Sequence, residues 1–188
     1  MCYHCTPKPK YEMKTTTLKV LLSSAILVSF VLSSCNKEKD NPSNGSGYYV
    51  KFKLDGTEKQ YTETTTALFT TYLPIYNCAM VGENLVNGTV YEGMAISIFN
   101  DAPIAANVTY TGVEVESIGT AQADLLFTDA TGAQSSSAFL SSPDVKVTIT
   151  KMNDKEITGT FSGMLESTVD FSTTHAVTEG EFHLPRPH

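Results

Sequence analysis

Residues 157–165, ITGTFSGML, put Ile157, Gly159, Phe161, Gly163 and Leu165 on one side of an extended chain and Thr158, Thr160, Ser162 and Met164 on the other. A helix cannot hold that set on one face, because its neighbours recur about every 3.6 residues, whereas those of a strand recur every two. Unbroken alternation of this kind marks a half-buried antiparallel strand. The same period runs on both sides of it. Val145, Val147 and Ile149 oppose Lys146, Thr148 and Thr150, and Asn153-Asp154 turns the chain before residue 157. Further on, Gly180, Phe182 and Leu184 oppose Glu179, Glu181 and His183.

The rest of the chain from Tyr48 has a similar texture. Val50, Phe52 and Leu54 share a face, and Asp55-Gly56 follows them, a hairpin signal because both central residues of that turn need positive φ. Residues 59–72 return, rich in threonine and tyrosine. Ile75–Val81 and Met94–Phe99 are apolar runs separated by Asn87-Gly88, a second turn dipeptide. Val108 and Tyr110 alternate with Thr109 and Thr111. Val113 and Val115 continue with parity shifted across Gly112, as a bulge would produce. Ala123, Leu125 and Phe127 form a shorter candidate. No stretch of eleven or more residues carries a helical stripe. The expectation is therefore an all-β domain over residues 48–188, an antiparallel β-sandwich of Ig-like or jelly-roll-like type with about eight to ten strands. A β-barrel is the alternative, since strand order decides between the two.

Charge narrows the partners. The 188 residues carry a formal charge of −7. From Cys35 onward, nine Lys and Arg face nineteen Asp and Glu, a charge of −10. Nucleic acid is excluded as a partner, because a phosphate backbone demands a basic face.

The amino-terminal stretch has a different character. Lys14 and Lys19 precede VLLSSAILVSFVL, residues 20–32, which contain no charge. Thirteen helical residues span only ~20 Å, too short for a bilayer core of ~30 Å. Residues 13–34 thus read as a signal-peptide helix. Its end, Leu32-Ser33-Ser34-Cys35, resembles the lipobox of bacterial lipoproteins. The resemblance implies that the Cys35 thiol receives a diacylglycerol and that cleavage occurs before Cys35. Acyl chains on Cys35 would then be the membrane partner, each buried methylene contributing about 0.8 kcal/mol. Residues 1–12 read as an extension from a start assigned too early, since initiation at Met13 gives a signal of ordinary length. Cys2, His4 and Cys5 within it lack the second ligand pair of a zinc site.

Residues 35–47 hold the lipidated cysteine and a polar tether, NKEKDNPSNGSG, with no aliphatic side chain. Lys37-Glu38-Lys39-Asp40 resembles the export signals of Bacteroidota surface lipoproteins, and a plain solvated linker would have the same composition. The lipobox, the opening YYVKFKLDGTEKQY and the closing ITGTFSG and VTEGEFHL together resemble small Bacteroidota outer-membrane lipoproteins with a β-sandwich-like domain of unknown function. That resemblance implies a lipid-anchored place on the outer membrane, facing the periplasm or the surface, and brings no catalytic residues.

The residue patterns of the common chemistries are weak or missing. Gly159-Thr160-Phe161-Ser162-Gly163 has the wrong spacing for a nucleophile elbow, and Ser162 reads as an outward strand residue. Cys78, inside IYNCAMV, reads as a buried thiol. Glu114 with Glu116, and Glu179 with Glu181, could form a carboxylate pair, although outward acids usually guard an exposed strand. His175, His183 and His188 show no zinc spacing, while Asn100-Asp101 and Asn153-Asp154 suit turns as well as calcium loops. The lipobox resemblance implies a bacterium, in which the sequons at Asn44, Asn87 and Asn107 would go unused. No catalytic residue, metal ligand or cofactor is assigned, and an enzyme is not expected. The domain is expected to be a non-enzymatic binding or structural module with a protein or glycan ligand; the alternatives are a glycan-binding accessory lipoprotein of a polysaccharide-utilisation system and, after it, an envelope hydrolase of unrecognised type. Tyr48, Tyr49, Tyr61, Tyr72 and Tyr76 are the candidate sugar-stacking or protein-contacting side chains.

Overall fold

The computed structural model describes residues 47–72, 74–86, 88–112, 122–140 and 144–187. Cys35, the segments 1–12 and 13–34, the tether to residue 46, Asn87, Val113, Glu114, Val115, Glu116 and His188 lie outside them. Eleven strands form among the described residues: β1 Tyr49–Leu54, β2 Thr57–Tyr61, β3 Thr64–Tyr72, β4 Ile75–Val86, β5 Val90–Asn100, β6 Val108–Thr111, β7 Gln122–Thr128, β8 Gln134–Ser136, β9 Lys146–Met152, β10 Glu156–Ser167 and β11 Thr174–Pro185. One 3-10 turn, Ser137–Phe139, follows β8. The count exceeds the expected eight to ten for two reasons. The threonine-rich stretch after the first hairpin breaks into β2 and β3, and β8 is a polar three-residue strand with no alternation to betray it.

All pairings are antiparallel, in the order β2-β1-β11-β10-β8-β7-β5-β4-β3, with β9 on β10 and β6 on β9. Strand β10 is the junction. Its first half, Ile157–Ser162, pairs with β9, and its last residues, Glu166 and Ser167, pair with β8. The sheet thereby folds into two layers, β2-β1-β11-β10-β9-β6 and β8-β7-β5-β4-β3. The ends of the path, β2 and β3, do not pair with each other, so the sheet stays open as a sandwich and does not close into a barrel. The chain crosses between layers at Thr62-Glu63. Asn84 Oδ1 accepts from both of their backbone N–H groups, and Glu63 Oε2 accepts from the Leu85 N–H.

Inward residues of the two layers make one core. Val50, Phe52, Phe161, Val177, Phe182 and Leu184 meet Met80, Met94, Ile96, Ile98, Leu125 and Phe127, all buried. Phe52 is central, with ring centroids 6.1 Å from Phe127, 5.7 Å from Phe161 and 6.0 Å from Tyr61. The glycine–phenylalanine pattern of the last hairpin now has a cause. Across the β10–β11 ladder Gly159 pairs with Phe182 and Gly180 with Phe161. Each ring lies over the opposing glycine, where a Cβ would collide with it. Glycine is therefore required for packing, and the phenylalanine covers the surface that glycine leaves bare.

Local details follow the turn chemistry. Asp55 and Gly56 adopt φ of 50° and 81°, the two left-handed residues of a tight hairpin. Strand β11 carries a bulge that alternation conceals. Lys51 pairs with Glu181 but Lys53 pairs with Thr178, and Glu179 sits at φ 51°. The inward set thus changes from Gly180, Phe182 and Leu184 to Val177. Strand β7 departs from half-burial: Ala123 to Phe127 are all buried, so both of its faces are covered.

Candidate functional site

The described domain has a cleft of about 410 Å³ at the pole where β1 ends. Leu54, Lys59, Glu92, Phe127, Asp129, Asp170 and His175 are among its lining residues. The opposite pole holds the start of β1, where Tyr49 pairs with His183. Thus the chain enters the domain at one end of the sandwich, and the cleft opens at the other.

The cleft's inner wall is an ion pair standing at core-facing positions. Lys59 shares its parity in β2 with buried Tyr61, and Glu92 shares its parity in β5 with Met94, Ile96 and Ile98. Lys59 Nζ lies 2.5 Å from Glu92 Oε1, with side-chain exposures of 29% and 15%, the least exposed ion pair among the described residues. The Tyr61 hydroxyl donates to the same oxygen at 3.0 Å. Burial, reinforced by the Glu92 charge, pushes the Tyr61 phenol well above its ordinary range. Lys59 Nζ also stands 5.9 Å from the Phe127 ring centroid. Both of these contacts fall on the same oxygen, Glu92 Oε1.

The rim is built from two acid-capped turns. Asp129 Oδ1 accepts from the N–H groups of Thr131 and Ala133 and from the Thr131 hydroxyl. Burial opposes ionisation of Asp129, but these hydrogen bonds outweigh it and hold the carboxyl below its usual range. Asp170 Oδ1 accepts from the Ser172 and Thr173 N–H groups, which bring its carboxyl down to about 2. Beside them, His175 Nδ1 lies 2.7 Å from Asp55 Oδ2, and the hydrogen bond from His175 lowers the Asp55 carboxyl. These acids are ionised at neutral pH and brace the loops that shape the cleft.

The other sequence candidates disperse. Cys78 is fully buried, and desolvation pushes its thiol up to about 12, as a core side chain behaves. Ser162 lies on the outward side of β10. Glu179 and Glu181 each take a lysine, Lys53 at 2.7 Å and Lys51 at 2.9 Å. The bulge at Glu179 breaks their shared register. His183 bonds to Glu156 at 2.9 Å and stacks edge-on against Tyr48, far along β11 from His175. Asn100 Nδ2 donates to the Ala102 carbonyl, Asn153 Oδ1 caps its own turn, and Asn107 adopts φ 61°. Among the described residues no three His, Cys, Asp or Glu side chains converge as metal ligands. The five tyrosines do not share a surface: Tyr61 is buried, Tyr48 and Tyr49 flank His183, and Tyr72 and Tyr76 lie on β3 and β4.

A second feature that alternation hides is Asp124. It lies on the side of β7 turned away from Leu125, next to Ser97 of β5, and only 5% of its surface is exposed. Desolvation raises its carboxyl to about 6, opposed in part by a hydrogen bond from Gln122 Nε2 at 3.3 Å. Asn77, two strands away on the same side, has a buried Oδ1 without a hydrogen-bond partner.

No protein-family model, curated protein or solved structure matches the chain. The functional reading therefore rests on its own residues.

Proposed function

We propose that this protein is a lipid-anchored module of a bacterial envelope that binds its ligand non-enzymatically through the cleft at the end of β1. The observation that carries the anchor is Leu32-Ser33-Ser34-Cys35 at the end of the uncharged run that begins at Val20. β1 starts at the pole opposite Lys59 and Glu92. In the full chain, Cys35→Ala is expected to abolish both incorporation of radioactive palmitate and cleavage before residue 35. Mass spectrometry of the wild-type N-terminal peptide checks the same point, and a peptide that starts elsewhere or carries no acyl chain contradicts the anchor.

The cleft favours binding over hydrolysis. It does hold three carboxylates, but Glu92 is committed to Lys59 and Tyr61, and Asp129 and Asp170 are held ionised by their own turns. A glycosidase needs one carboxyl with a raised pKa as its general acid. A glycan is the second reading, supported by a cationic and an anionic group beside an aromatic floor. Screening the wild-type protein against immobilised polysaccharides tests it. If a glycan binds, Glu92→Gln is expected to weaken binding by at least about tenfold, the effect of removing a hydrogen bond to a charged group. Unchanged binding by that variant would remove the cleft from the reading.

A further inference from the structure

Among the described residues β2, β3 and β6 are each paired on one side only, and β2 and β3, the ends of the main path, differ in a way that points to a partner. Strand β2 is five residues long and carries Glu58 and Lys59, and short charged edges discourage pairing with other chains. Strand β3 has neither protection. It runs nine residues, Thr64–Tyr72, with no charge and no proline, and pairs with β4 at nine successive positions without a bulge. Among the described residues β4 is its only strand neighbour. The charge-free stretch continues from Thr64 to Gly82, nineteen residues in a chain of net charge −7. Leu68, Tyr72, Ile75, Leu85 and Tyr91 stand 40–67% exposed on the outer side of β3, β4 and β5.

We propose that β3 is a self-association edge, at which two copies of this chain pair antiparallel about a two-fold axis at Leu68. The strand is chemically self-complementary about that residue. On the outer side Thr64 faces Tyr72 of the second copy, Thr66 faces Thr70, and Leu68 faces its own counterpart. On the inner side Thr65 faces Thr71 and Ala67 faces Phe69. Threonine pairs and aromatic–β-branched pairs are those that stabilise antiparallel ladders. A two-fold axis requires a patch that matches itself, and an acidic protein repels its own copies wherever carboxylates meet. The strand itself carries no charge to set against its counterpart, Arg186 over the Phe69 ring being the cation beside it, and the new ladder pairs backbone groups that no other described strand pairs. The exposed apolar residues of β3 and β4 would then form one continuous surface across the pair.

Cysteine cross-linking of the full chain in its bacterial host tests the register. Leu68→Cys places two thiols opposite each other at the axis. Val169→Cys, 75% exposed on the loop between β10 and β11, is the control, and the unsubstituted chain sets the background from the natural cysteines. Mild oxidation is expected to give a covalent dimer with L68C and only background with V169C. Adding Thr66→Lys and Thr70→Lys to L68C puts lysine opposite lysine twice, and is expected to weaken dimerisation about tenfold. Adding Thr66→Lys with Thr70→Glu instead puts lysine opposite glutamate and restores the cross-link, which separates a register effect from misfolding. Equal cross-linking of L68C and V169C overturns the proposal. So does loss in both charge variants while the β-sheet spectrum is retained, or equal dimerisation by the two.

Discussion

Gly159→Ala is expected to cost about 3 kcal/mol, a large share of the about 5–15 kcal/mol by which domains are stable. In an ordinary strand the sign would be reversed, because glycine weakens strands by roughly 0.5–1 kcal/mol relative to alanine. Here the added methyl meets the Thr148 carbonyl oxygen on β9 and the Phe182 ring on β11 together. The carbonyl belongs to a ladder and cannot move without breaking it. Gly180→Ala meets the same obstacle in the Phe161 carbonyl oxygen, and a similar loss is expected. Urea denaturation of the two variants measures both costs. Wild-type midpoints would show that the rings and backbone relax around a methyl, and that these glycines are not needed for packing.

Asp124→Asn is expected to have the opposite sign and to depend on pH. The Asp124 carboxyl is raised from 3.8 to about 6 because folding strips water from it. Between those values the folded state holds a proton that the unfolded state has released. Stability therefore falls as pH rises from about 4 through 6 and stays lower above. Near pH 7.5 the penalty amounts to about 2–3 kcal/mol, and asparagine, which keeps the shape and can still accept from Gln122, removes it. At pH 4 and below, wild type and variant are expected to converge. Urea midpoints at pH 4 and pH 7.5 check this, and equal differences at both values would mean that Asp124 is effectively solvated.

Much of the architecture was legible because period-two alternation is a direct imprint of a half-buried sheet. Ile157 to Leu165, Val145 to Ile149 and the Asp55-Gly56 hairpin fall where the residues indicate. Other features depend on neighbours distant in sequence. Asp124 reads as a solvent-facing residue because only its burial reveals its cost, and burial is set by segments far from β7. The bulge at Glu179 is invisible because glutamate seldom adopts positive φ without a glycine-like signal. The cleft did leave a trace. Lys59 shares its face with Tyr61 and Glu92 shares its face with Met94, Ile96 and Ile98, and a charge at such a position marks the end of a core or a site. The tyrosine platform read from clustering in sequence failed to converge because neighbouring tyrosines alternate faces and the layers then separate them. Cys35 and the Glu114–Glu116 pair lie outside the described residues.

The ladder between β1 and β11 also sets an order of events. Tyr49 and Val50 find their partners in His183 and Phe182, more than 130 residues later. A chain emerging amino end first therefore cannot complete its first layer until nearly the whole domain is available. Such long-range pairing is slow, because the closure entropy must be met before the contact forms. Until then β1 is paired on one side only, with β2, and a truncation that removes β11 leaves both β1 and β10 without their shared neighbour. The twelve residues of β11 act as the keystone of this layer: its hairpins can form earlier, but they are joined only when β11 arrives.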